Sequence, residues 1–219
     1  MTDDAPDLLP PEAGLALAWS SPKVRGPLSM ALQLDRRLAR IVARTSEPVL
    51  GQMRLAWWRD ALGKPVFERP SGDAVLDGLG VHWAGRETAL IALVNAWEVL
   101  VTADQLGPDE IESFASGRGA FFAAFAADEA PDDLAARLLS AGRCWALADA
   151  ATGVSNERER SALVGAGLAA RKTGRLPREL RGVAVLEALA LRSLRNGGRP
   201  LMEGRGASLT ALRAAIFLA

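Results

Sequence analysis

Apolar side chains return at three- and four-residue spacing along most of this chain, and no segment sustains the period-two alternation with β-branched residues that a strand needs. That pattern commits the chain to helices. Between Pro27 and Arg44, the residues Leu28, Leu34, Leu38, Ile41 and Val42 mark one face, while Asp35, Arg36, Arg37, Arg40 and Arg44 fill much of the other. Thr45-Ser46-Glu47-Pro48 supplies a stop and a restart: Ser46 can cap, Glu47 suits the positive end of a helix dipole, and Pro48 is tolerated in a first turn. The helix that follows runs to about Leu62, and Gly63 to Arg86, rich in glycine, holds one short helix around Ala74 to Leu79.

Further helices follow the same signals. Glu87 to Val101 carries Leu90, Leu93, Val94, Trp97 and Val101 on one face, and Pro108-Asp109-Glu110 and Pro131-Asp132-Asp133 open the next two. The Asp132 and Asp133 pair is explained by the helix dipole better than by a metal. Ser155 or Asn156 caps a helix to about Lys172, Pro177 opens one that stops at Asn196-Gly197-Gly198, and Ser208 caps the last. No period of 34 or 40 residues repeats, which disfavours a solenoid. The expectation is an all-α fold, a single globular helical bundle of about eight helices over residues 14–219, preceded by an acidic flexible tail over 1–13.

Charge narrows the function. With 26 basic and 26 acidic residues the chain lacks the basic footprint of a nucleic-acid binder. The distribution is uneven: residues 1–14 carry −4, residues 15–151 carry −3 and residues 152–219 carry +7. Such an excess is most often a solvated face, and otherwise suits anionic lipid or an acidic partner. One cysteine, Cys144, and one histidine, His82, exclude an internal disulfide, a multi-cysteine zinc site and a two-histidine metal centre, and fit a reducing cytoplasm. Both suit structural positions better than catalytic ones. No run is long enough to span a bilayer, and the start, acidic and rich in proline, is the reverse of a basic leader.

Two local features stand out. Gly117-Arg118-Gly119 lies inside a predicted helix, where each glycine costs about 1 kcal/mol against alanine, so a close helix crossing, or less favourably a ligand approach, is expected there. Trp57 and Trp58 are adjacent and point about 100° apart on a helix, so one of them belongs at a boundary or pocket wall.

The stretch Glu47-Pro48-Val49-Leu50-Gly51-Gln52-Met53-Arg54-Leu55-Ala56-Trp57-Trp58-Arg59-Asp60-Ala61-Leu62 resembles the squalene/phytoene synthase family, in the branch with an EP-x-LG-x-xRL-x-WWR-x-AL signature. Leu34-Asp35-Arg36-Arg37-Leu38-Ala39-Arg40-Ile41, Ala96-Trp97-Glu98, Phe114 to Gly119 and Trp145-Ala146-Leu147-Ala148-Asp149 follow the same branch in order, so the resemblance covers about residues 14–195. It implies the all-α isoprenoid synthase fold with a central apolar cavity. Active members hold magnesium with two aspartate-rich motifs on facing helices, and the metal binds the diphosphates of two prenyl substrates.

Those motifs are missing. Aligning Arg36 with the first motif's arginine puts Ala39, Arg40 and Ala43 where active members have aspartates, and the second motif falls near Thr152 and Asn156, with Asp149 the one acid close by. The resemblance therefore implies a catalytically degenerate member with no catalytic or metal-ligating residues, working as an isoprenoid- or lipid-binding protein or as a membrane-complex assembly protein. A mitochondrial relative in the branch is an assembly factor for respiratory complex I, peripheral to the inner membrane. Expected partners are an isoprenoid or lipid ligand, a protein partner and a peripheral membrane contact, with no nucleic acid. The expected location is cytoplasmic or peripheral to the inner membrane. The alternative is an active prenyltransferase that condenses two prenyl diphosphates and needs magnesium, the only cofactor either reading admits. Arg36, Arg40, Arg54, Arg59 and Arg118 are the candidate ligand-binding residues; in the alternative, Arg36, Arg54, Arg59 and Arg118 are the diphosphate contacts, and Asp35 or Asp149 holds fewer metals than active members do.

Overall fold

The computed structural model describes residues 8–45, 47–103, 105–126 and 131–217. Among them are ten α-helices, two 3-10 turns and no strand: α1 (Pro11–Trp19), α2 (Pro22–Arg44), α3 (Pro48–Gly63), α4 (Ala74–His82), α5 (Glu87–Thr102), α6 (Pro108–Ala123), α7 (Asp132–Gly153), α8 (Glu157–Ala169), α9 (Arg181–Arg195) and α10 (Gly206–Phe217). The all-α expectation holds, with ten helices rather than about eight. The main addition is α1, which brings residues 11–13 into the folded part: Glu12 and Ala13 are buried. The capping residue expected at Ser46 lies outside the described residues, and Glu47 stands at the N-cap of α3.

The second helix also starts earlier than its apolar stripe suggests. It opens at Pro22, and Pro27 sits in its interior. Proline there forfeits one backbone bond. The Pro27 carbonyl is used by another element, accepting from Trp83 Nε1 at 2.8 Å, which ties α2 to the turn after α4. At the other end, Gly197 and Gly198 adopt φ +76° and +77° and close α9 as the sequence signals, the Gly198 N–H donating to the Ser193 carbonyl.

Helix α6 is pressed between α5 and α7. The glycines beside Arg118 are the reason. A Cβ on Gly117 would lie 2.7 Å from the Ala92 carbonyl oxygen of α5, and one on Gly119 would lie 2.9 Å from the Arg143 nitrogen of α7. Gly142 of α7 returns the approach, since its Cβ would stand 2.7 Å from the Gly119 carbonyl oxygen. Close crossing, the favoured reading of these glycines, is what the structure contains. Aromatic rings fill the layer around it: Phe121 and Phe122 are buried with Trp145 at centroid distances of 5.8 and 5.4 Å, and Trp97 meets Phe114 edge-on at 5.7 Å. Among the described residues no helix is long and apolar enough to cross a membrane.

Candidate functional site

The close crossing of α5, α6 and α7 leaves Arg118 in the centre of the bundle, 1% exposed. Its Nε and Nη2 donate to the two carboxylate oxygens of Asp35 on α2, each at 2.7 Å, and Nη2 also donates to Asp149 Oδ2 on α7 at 2.6 Å. Nη1 donates to the Ala146 carbonyl at 3.2 Å. The guanidinium carbon lies 4.5 Å from the Trp145 ring centroid and 4.7 Å from that of Trp97, so the cation is stacked as well as paired. Trp97 Nε1 completes the network by donating to Asp35 Oδ1 at 2.9 Å.

Burial alone would favour losing the proton. The charges of Asp35 and Asp149 outweigh that desolvation and hold the Arg118 pKa above its ordinary value, so it stays cationic. A buried pair on this bidentate geometry, with further donors filling the remaining lone pairs, is a satisfied one.

Helix α1 covers the centre. Leu9, Pro10, Glu12 and Ala13 close over Asp35, Arg118 and Asp149, and the space left between them is about 10 Å³, at most room for one water. Glu12, 8% exposed, points into this layer. Burial raises its carboxyl pKa; its own backbone N–H bond opposes the rise, the Asp149 charge adds to it and Arg36 offsets it.

Magnesium does not fit these residues. Both oxygens of Asp35 are taken by Arg118, one of them also by Trp97, and Asp149 gives an oxygen to the same guanidinium. Among the described residues no group of three or more histidines, cysteines, aspartates or glutamates is placed to hold a metal ion. A guanidinium occupies the space between the two acids of facing helices.

The predicted arginines separate. Arg36 and Arg118 line the same shallow space. Arg40 lies one turn further along α2 and does not line it, nor do Ala39 and Ala43, so Leu32, Asp35 and Arg36 form the α2 wall there. The positions aligned with the first acidic motif thus lie away from the space beside Asp149. Arg54 is exposed on α3, and Arg59 reaches across to α5, donating to Asn95 Oδ1 at 3.1 Å and Glu98 Oε2 at 2.8 Å. In the second stretch, Thr152 Oγ1 donates to the Asp149 carbonyl and Asn156 caps α8.

No family model, curated protein or solved structure matches the chain.

Cys144 is fully buried, its thiol pushed up to about 12 by burial. His82 is exposed at the end of α4 with its ring against Gly26. Of the tryptophan pair, Trp58 is buried and Trp57 is 44% exposed, the boundary residue the helix geometry requires. Sequence reasoning missed Glu12, assigned to the tail, and the pairing of Arg118 with Asp35. The second had a signal: four of the quoted blocks each contribute a residue to this one centre, namely Asp35, Trp97, Arg118 and Trp145 with Asp149.

Proposed function

We propose that this chain is a squalene/phytoene synthase-like protein that has given up prenyl transfer and acts as a binding or assembly protein at a membrane complex. The observation that carries the reading is the Arg118 guanidinium lodged between Asp35 and Asp149, an internal cation that takes up the carboxylates a dication would need. The convergence of four separate sequence blocks on that centre supports the family assignment, because each block supplies a member of the network. The space of about 10 Å³ beside it favours a solid assembly protein over an isoprenoid carrier, which would need a pocket of roughly 300 Å³ or more there. Two larger hollows, about 460 and 480 Å³, lie elsewhere and are lined with arginine: Arg192 and Arg199 in one, Arg137 and Arg175 in the other.

The test is to incubate the purified protein with farnesyl and geranylgeranyl diphosphate, with and without magnesium, following diphosphate release and prenyl product. No turnover by the folded protein is expected. Magnesium-dependent turnover overturns the reading and restores the prenyltransferase.

A further inference from the structure

Helix α10 is packed inside out. Its buried positions are Ala207, Ala211, Ala214 and Ala215, while its large apolar residues face outward: Leu209 is 68% exposed, Leu212 45%, Ile216 49% and Phe217 63%. At 100° per residue, Leu209, Leu212 and Ile216 fall on one outer arc, and Arg213 stands between Leu209 and Phe217 on its edge. The alanines explain half of this: small side chains let α10 lie close on α9. They do not explain four large apolar groups in water, a contiguous face of the kind that marks an interaction site.

The surroundings identify the occupant. From residue 192 to the end of the chain there are five arginines, Arg192, Arg195, Arg199, Arg205 and Arg213, and one acid, Glu203. Arg195, Arg199, Arg205 and Arg213 are exposed, Arg199 in an ion pair with Glu203 at 3.7 Å. The hollow of about 460 Å³ lined by Arg192 and Arg199 opens beside the start of the helix, with Arg192 against Gly204 and Gly206. We infer that α10 is a membrane-surface helix, which lays Leu209, Leu212, Ile216 and Phe217 into the headgroup boundary of an anionic bilayer while the surrounding arginines meet lipid phosphates. Exposed apolar groups beside arginines supply the two attractions that hold a protein on an anionic bilayer, burial of apolar area and pairing with lipid phosphate. A second copy fits less well, since a two-fold contact through this arc brings arginine against arginine. The exposed stripe of α3, with Val49, Met53 and Trp57, has no such bias: Glu47, Arg54 and Asp60 are mixed around it. This role of α10 does not depend on what the Arg118 centre does.

Vesicle co-sedimentation tests it, with phosphatidylcholine alone and with phosphatidylcholine plus phosphatidylserine. The native chain is expected on the anionic vesicles and in solution with the neutral ones. The double variant L212E/I216E should weaken binding by roughly tenfold or more, and R205Q/R213Q by about tenfold on anionic vesicles only. The control M53E on α3 should bind as the native chain does. All these positions are exposed, and unchanged circular dichroism melts verify that the variants fold. The inference is overturned by absence of binding, by equal binding to both vesicles, or by M53E losing as much as L212E/I216E. A dimer in sedimentation that L212E/I216E dissolves overturns it as well and makes the face a subunit contact.

Discussion

Replacing Arg118 by methionine isolates what the central network contributes. Methionine keeps much of the length and apolar volume of the side chain but removes the cation, leaving Asp35, 1% exposed, with the Trp97 Nε1–H still donating to it. Breaking a buried pair from one side costs about 3–5 kcal/mol, because the surviving charge stays desolvated without compensation. For a chain of this length each kcal/mol moves Tm by about 2–4 °C, so the variant should melt roughly 6–20 °C below the native protein. The same reasoning makes Asp35→Leu costly, though less so, since Arg118 keeps Asp149 and the Ala146 carbonyl. Joining the two substitutions removes both charges, and the double variant should be more stable than the sum of the singles by about 2 kcal/mol. Urea unfolding followed by tryptophan fluorescence and far-ultraviolet circular dichroism supplies all four corners of the cycle. A cost below about 1 kcal/mol for Arg118→Met, or strict additivity in the double variant, would refute a buried, mutually dependent pair.

Magnesium should raise the Tm of Arg118→Ala, in which Asp35 and Asp149 face an emptied space, and leave the native protein unchanged; no shift in the variant defeats the view that arginine stands in for a dication. Glu12 has a folded pKa raised by burial, so its ionisation opposes folding above the ordinary carboxylate range, and that penalty fades as pH falls through the raised value. Glu12→Gln should therefore stabilise the protein at neutral pH and flatten the gain otherwise seen as pH falls toward the ordinary value of 4.5, in melts taken across that range. Gly142→Val drives a side chain into the Gly119 backbone and should cost about 3 kcal/mol or prevent folding, whereas Gly165→Val, with open space at its Cβ on an exposed helix face, should leave stability within about 0.5 kcal/mol of the native value. Cys144 should react with a thiol reagent only as fast as the protein opens, its rate rising with urea; rapid labelling of the native state would contradict its burial.

Most helices were legible because their signals are local. Prolines at the starts of α3, α6 and α7 and the Asn196-Gly197-Gly198 stop are readable within a few residues, and all four fall where the sequence puts them or within one residue. Helix α1 was not, because nine residues of mostly alanine and leucine give no stripe, and its partner surface on α9 is more than 160 residues away. The same distance problem hid the site. Asp35 and Arg118 are 83 residues apart, and either one alone reads as an ordinary polar residue on an amphipathic helix.

One clue was nevertheless local. A glycine on each side of a mid-helix arginine removes side chains from both flanks, and two neighbouring helices can then close to backbone contact. That closure takes the arginine out of water, and a dry guanidinium must find acceptors on whatever helix remains in reach. Helices α5 and α7 occupy the flanks, so the acceptors come from the end of the α7 wall and from α2 in front, which are Asp149 and Asp35. The spacing Gly117-Arg118-Gly119 thus carries more of the site than any of the five arginines taken singly. It also explains why Arg54 and Arg59, without flanking glycines, stay on the outside of α3, one exposed and the other paired with Glu98.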